Sequence, residues 1–424
     1  MSNRILIWRG VSKGNELDIF YNVDYNSICN DVKTRFNGTC PNWGNKLWFQ
    51  GLISTIQTPE NTLTFRSNES IDYINNNFDF IIYPMANFFG PKYKDNMYSM
   101  SETFSKIKIP TYIIACGAQA KSYEDLDILL AAVGEPSKRF ISSIYETGGE
   151  FALRGNFTKA FFDKLGFTTA VVTGCPSIFQ LGRDFKVLSN KVSEEDFNPC
   201  FNGNIHIFDS AISQFDTYFF DQDIFFYKIY DNNYNVNYDL ISLLKYYHYE
   251  NLSSIKLLGE NKLVNTPNMN DWRAFLINKK FNYSFGTRIH GSIMAILSGI
   301  PSTVIAIDTR TQEMADYFDI PYVIHKKNKV YTKDEIYQMY MDADYSKFND
   351  TFSAKFDFYE DFLIQHGIVQ RANQSNQFFD NDIAYTDFLD YAVNTEKFQK
   401  LYNKGKKIEP ILSIASKVLS LINK

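Results

Sequence analysis

Arg288 and His290 stand two residues apart in Asn282-Tyr-Ser-Phe-Gly-Thr-Arg-Ile-His-Gly291, directly after a glycine that permits a sharp turn. Thr287 is a good helix N-cap, which would place Arg288, Ile289 and His290 in a first helical turn. Free backbone N–H groups, the positive end of a helix dipole, a guanidinium and an imidazole then converge, and that combination binds anions. The chemistry open to it is donation of a proton next to a held phosphate or carboxylate. The helix N-terminus alone favours the neutral imidazole, whereas a phosphate dianion at contact distance works the other way.

The elements that must position these groups are legible around them. Asn282 to Phe285 has strand character, and the apolar run Ile293 to Leu297 fits a buried helix stopped by Gly299 and Pro301. Ser302 to Ile307 reads as the next strand, completing a βαβ unit that ends at Asp308. Other continuous apolar runs, Arg4 to Arg9, Phe78 to Tyr83, Tyr112 to Ala115 and Thr169 to Thr173, suit strands buried on both faces of a parallel sheet. Helical patterns cover Lys46 to Ile56, Ser137 to Tyr145 and Thr158 to Leu165. The organisation expected is a Rossmann-like domain over 1–180, a polar linker over 181–204 containing Pro199, and a second Rossmann-like domain over 205–330. Within the second, Ile205 to Phe208, Ile224 to Ile229 and Pro321 to His325 read as strands, and Asp239 to Tyr247 and Asn270 to Asn278 as helices.

From 331 to 424 the pattern is helical, with runs at Asp334 to Asp342, Asp350 to Gln365 and Asn381 to Lys400. The final segment, 408–424, places Ile408, Ile411, Leu412, Ala415, Val418, Leu419 and Ile422 on one helical face, downstream of Lys404, Lys406 and Lys407. Such a face suits docking on the globule or peripheral contact with an anionic membrane surface.

Composition narrows the classes. At 424 residues the chain exceeds what one core usually serves. Hydrophobic residues at 45% and charged residues at 21% exclude wholesale disorder. A net charge of -5 argues against nucleic acid as a partner held by overall charge, while leaving room for a local cationic site. Five scattered cysteines without a CxxC pair point to neither a disulfide framework nor a zinc site. His206 sits in an apolar strand, and His248, His325 and His366 lack neighbours at ligand spacing, so no metal or cofactor is expected. The start shows no signal peptide and no stretch approaches a transmembrane span, which makes the cytoplasm the default compartment.

Phe285-Gly-Thr-Arg-Ile-His-Gly291, then Ser298-Gly-Ile-Pro301 and Asp308-Thr-Arg-Thr-Gln-Glu313, resembles the carboxyl-terminal signature of the polysaccharide pyruvyl transferases. Two further stretches agree in order: Pro110 to Gln119, a strand ending in Gly-Ala-Gln, and Leu153-Arg-Gly155 followed by Gly174-Cys-Pro-Ser177. The resemblance spans roughly Asn42 to Asp319 and implies a GT-B-like fold, two Rossmann-like domains facing a central cleft with a helical carboxyl-terminal extension. It implies transfer of a pyruvyl group from phosphoenolpyruvate to two hydroxyls of one sugar, making a cyclic ketal and releasing phosphate. His290 matches the family's proposed acid. Arg288, with Gly286 and Thr287, and Arg154 from the first domain match its donor-binding positions. Arg310, Glu313, Asn45 and Gln119 are candidates to support the site or touch the saccharide acceptor, which could be lipid-linked. Asn45 replaces the Asp common in the family, which removes support for a carboxylate there. A GT-B glycosyltransferase with a nucleotide-sugar donor, using Asp308 or Glu313 on the ribose, is the main alternative, and an inactive sugar-binding protein the other.

Overall fold

The apolar runs become the strands of two parallel sheets in the computed structural model. It describes residues 2–8, 43–65, 69–203, 205–208, 214–220, 222, 256–257, 259–264, 269–372, 395–408, 410–411 and 414. In the first half, β1 (Asn3–Ile7) precedes α1 (Trp43–Ile56), β2 (Asn61–Phe65), α2 (Ile71–Asn77), β3 (Phe80–Pro84) and β4 (Asn87–Phe89). Next come α3 (Lys94–Phe104), β5 (Thr111–Ala118), α4 (Leu126–Tyr145), β6 (Glu150–Leu153), α5 (Asn156–Lys164) and β7 (Val171–Val172). Their sheet runs β2-β1-β3-β5-β6-β7, with β4 pairing the end of β5. Every described pairing is parallel, and β5 is buried along its whole length. That is why the strands read as unbroken apolar runs.

The second sheet contains β8 (Pro199–Asn202), β9 (Phe219–Phe220), β10 (Leu263–Val264), β11 (Tyr283–Gly286), β12 (Ser302–Ala306) and β13 (Tyr322–Ile324). Helices α6 (Met269–Asn278), α7 (Ile289–Leu297) and α8 (Thr309–Phe318) connect its later strands. The order is β10-β9-β8-β11-β12-β13, again parallel throughout. Counted within this sheet it is 3-2-1-4-5-6, with the direction of winding reversing between β8 and β11. Open α/β sheets bind ligands outside the carboxyl ends of the strands at such a reversal.

Three expectations need correction. The strand expected at 205–208 is a 3-10 turn, and the strand lies earlier, at Pro199–Asn202, inside the segment expected to be a linker. Pro199 reads as a breaker, but it is the first residue of β8, where a missing N–H is tolerated. The helix expected from Ser137 begins at Leu126 and carries Pro136 within it. The strand expected at 224–229, the helix at 239–247, all of 381–394 and most of 408–424 lie outside the described residues.

After β13, α9 (Lys333–Asp342), α10 (Ser346–Gln365) and α11 (Thr395–Lys407) complete the described chain. Helix α10 does not extend away from the sheets. Tyr345 near its start donates to the Ser302 carbonyl at 2.6 Å, and Tyr359 pairs with Thr55 of α1 at 2.8 Å. Beyond it, the carbonyls of Gly367 and Ile368 accept from Asn3 and Asn61 of the first sheet. One hydrophobic core joins Ile5, Leu47 and Trp48 to Ile293, Phe318 and Phe356. Two parallel α/β halves tied by a helix that crosses back give the GT-B-like architecture. No described helix is long and apolar enough to cross a membrane.

Candidate active site

The turn after β11 is held by a residue of the neighbouring strand. Asn202, at the end of β8, accepts from Thr287 N–H through its carbonyl and from Arg288 N–H through its side-chain oxygen, each at 3.1 Å. Gly286 makes this approach possible, because a Cβ there would lie 2.2 Å from the Asn202 carbonyl oxygen. Asn202 therefore supplies the cap expected of Thr287. Arg288, with extended φ −104 and ψ 106, becomes the N-cap residue, and the helix starts at Ile289. Thr287 is buried, whereas the Arg288 side chain is exposed.

His290 lies in the first turn of α7 and is buried. Its Nε2 is 3.8 Å from Sγ of Cys175, which comes from the other half of the chain, and Ser177 donates its hydroxyl to that sulfur at 3.1 Å. Burial, followed by the charges of Arg154 and Arg288, pushes the imidazole down to about 3. It is neutral at physiological pH.

Arg154 follows β6 and is 2% exposed. Its Nη1 donates to Oδ1 of Asn87 at 3.0 Å, while buried Nε and Nη2 have no hydrogen-bond partner. A guanidinium so deeply buried with three of its five N–H donors unpaired is costly unless an anion completes it. The free edge, Nε with Nη2, is the one that grips a carboxylate or phosphate with two parallel hydrogen bonds. Arg154 acts on the charge state of both His290 and Cys175, so the two halves meet here.

The remaining candidates fall around this centre. Glu313 is wholly buried on α8, and both its oxygens accept from Thr158 at 2.9 Å. Burial pushes its carboxyl up to about 7 against the pull of Thr158 and Arg154. Arg310 pairs with Asp308, whose carboxylate also caps α8 through the N–H groups of Arg310 and Thr311. Gln119 donates its backbone N–H to the Phe89 carbonyl at 2.9 Å and is half-buried. Asn45 is in the first turn of α1 and not ahead of it. Asn87, Thr158, Cys175 and Asn202 escaped sequence reasoning as working residues; Gly174-Cys-Pro-Ser177 was visible as a motif without a role. Among the described residues no group of three His, Cys, Asp or Glu is placed to hold a metal ion.

A two-domain α/β enzyme, with a deeply buried, partly unpaired arginine and a neutral histidine brought together from separate sheets, is the class that this arrangement defines. The chain belongs to the polysaccharide pyruvyl transferase family, whose model matches residues 16–309, more than half of it. No curated protein matches it significantly. Among solved structures it is similar to a Staphylococcus aureus MnaA–UDP complex, with 9% identity and TM-score 0.42, covering 91% of this chain and 100% of that one. A putative UDP-N-acetylglucosamine 2-epimerase from Listeria monocytogenes gives 9%, 0.40, 90% and 100% in the same terms. An uncharacterized Klebsiella pneumoniae protein gives 11%, 0.34, 67% and 89%. With all three scores below 0.5, the architecture rests on the strand order and the crossing helix described above.

Proposed function

We propose that this enzyme transfers the pyruvyl group of phosphoenolpyruvate to two hydroxyls of one sugar in a polysaccharide or its precursor, closing a cyclic ketal and releasing phosphate. The observation that carries the reading is the buried, unpaired edge of Arg154 beside a neutral His290. Phosphoenolpyruvate presents a carboxylate and a phosphate close together, so two arginines suit it. Arg154 takes one anionic group and Arg288, at the mouth of α7, takes the other. Burial first, and then these two charges, hold His290 neutral in the free enzyme; the bound dianion offsets the charges, and the imidazole gains a proton as the donor binds.

Protonated His290 then gives its proton to the donor's methylene carbon, and positive charge develops at the adjoining carbon. The first sugar hydroxyl bonds to that carbon and its proton returns to the imidazole. Cleavage of the carbon–oxygen bond to phosphate opens the centre to the second hydroxyl, whose proton leaves with the phosphate. Two hydroxyls and one phosphoenolpyruvate thus give one ketal and one phosphate.

For a nucleotide-sugar enzyme, Asp308 and Glu313 were the carboxylates available to a ribose. Both are engaged, Asp308 with Arg310 and the α8 N-terminus, and Glu313 with Thr158. Titration calorimetry with phosphoenolpyruvate and a panel of nucleotide-sugars tests the reading. Saturable binding of phosphoenolpyruvate is expected, weakened at least about tenfold by Arg288→Ala or Arg154→Met. Binding of a nucleotide-sugar in its place overturns it.

A further inference from the structure

We infer that Glu313 is a positioning residue for Arg154: from the second domain it caps α5 of the first and fixes the two turns that hold the guanidinium. The inference rests on the reading of Arg154 as a donor-binding residue. Helix α5 begins after Gly155, which has no side chain with which to cap it. The orphan N–H of Thr158, in the third position of that helix, donates to Oε2 of Glu313 at 2.9 Å, so the cap arrives from another domain. The Thr158 hydroxyl donates to the same carboxylate and accepts from Ala118 N–H at 2.8 Å, drawing in the end of β5. Arg154 N–H in turn donates to the Cys116 carbonyl at 2.9 Å. The carboxylate is thus linked through Thr158 to Ala118, two residues along β5 from the Cys116 that accepts from Arg154 N–H.

Two glycines record how closely these parts fit. A Cβ on Gly155 would lie 2.6 Å from Cβ of Glu313. A Cβ on Gly117 would sit 3.2 Å from Glu313 Oε1 and 3.5 Å from Arg154 Cδ, so only a glycine's width separates carboxylate from arginine. No ion pair forms between them, which leaves the Nε–Nη2 edge open. Both groups facing the carboxylate from Thr158 are donors, and the Thr158 hydroxyl oxygen is already used by Ala118. These contacts favour the anion and oppose the burial that raises the carboxyl. The titratable and charged groups around it are Arg154, Asp308, Cys116 and Tyr123.

The test compares Glu313→Gln, Thr158→Val and Thr158→Ser with the wild type. The first readout needs no donor: hydrogen exchange of the Arg154 Nε–H by NMR, the resonance being assigned by its loss in Arg154→Lys. Exchange at least about tenfold faster in Glu313→Gln and Thr158→Val, but restored in Thr158→Ser, is expected. The second is phosphoenolpyruvate affinity, expected to fall about tenfold in the same two variants and to recover in Thr158→Ser. Unchanged exchange in both disrupting variants overturns the inference, as does equal loss in Thr158→Val and Thr158→Ser. Should Glu313→Gln fail to fold, the two Thr158 variants still decide. Wild-type protein that ignores phosphoenolpyruvate would count against the proposed function, while the exchange readout would still judge the role of Glu313.

Discussion

His290 combines the properties that an acid for this transfer needs, and each has a separate cause. Its neutrality comes first from burial and then from Arg154 and Arg288, so anything that offsets those arginines raises its affinity for protons. An NMR titration of the ring is therefore expected to show no protonation between pH 8 and pH 5 in the free enzyme, and an upward shift once phosphoenolpyruvate is bound. Replacing it, as His290→Gln, should lower turnover by roughly 10²–10⁴-fold while donor affinity stays within a few-fold. The same depressed value has a stability consequence. Between about 3 and the unfolded value of 6.5 the folded state binds fewer protons than the unfolded chain, so stability falls as pH falls through that window. Thermal denaturation at pH 7 and pH 5 should show a smaller loss in His290→Gln than in the wild type. Arg288 and His290 were legible in the sequence because a glycine turn and a helix start put them together locally. Arg154 was visible as a residue, but not its burial. Asn87, Cys175 and Thr158 take their meaning from partners 67, 115 and 155 residues away, which no local pattern reveals.

At the scale of elements, the β11–α7–β12 unit was legible because Gly286, Gly299 and Pro301 punctuate it. Its cap was misassigned by one residue, since the side chain that does the capping belongs to β8. Removing that oxygen with Asn202→Ala should cost about 1 kcal/mol of stability, the ordinary worth of a cap. Gly286→Ala should cost more, about 1–3 kcal/mol, because the new methyl group meets the Asn202 backbone and side chain between 2.2 and 2.6 Å away. Denaturant melts of the two variants check the order. Helix α8 was not legible at all. Its buried face carries Thr309, Thr311 and Glu313 beside Met314, Ala315 and Phe318, so half of what it buries is polar. Hydrophobic periodicity finds helices that bury apolar faces. This one buries hydrogen-bonding groups that find partners across the domain boundary: Thr309 with Ala118 and Ala120, Glu313 with Thr158, and Asp316 with Tyr123.

For the whole molecule, the sequence conveyed two α/β halves but not how far they share one interior. Phe179 of the first half packs against Phe318 of α8 and against Phe352, Phe356 and Tyr359 of α10. The Thr55 hydroxyl already donates to the Leu52 carbonyl at 2.8 Å, so the Tyr359 hydroxyl is the donor in their shared bond. By contrast, the Arg183–Asp357 pair beside them is partly exposed and contributes little. Multidomain chains commonly unfold in separable steps, but a core common to both sheets couples them. Phe356→Ala removes a fully buried ring from that core and should cost about 3–5 kcal/mol, whereas Tyr359→Phe, which loses only a hydrogen bond, should cost about 1 kcal/mol. Hydrogen exchange read by mass spectrometry distinguishes coupling from independence. If the halves are coupled, Phe356→Ala lowers protection in β5 of the first sheet and β12 of the second by the same factor. If they are independent, the loss stays within α10 and its immediate neighbours. Coupling is the expected result, because Arg154 and His290 come from different sheets, and a site divided between them keeps its geometry only while both are held by one core.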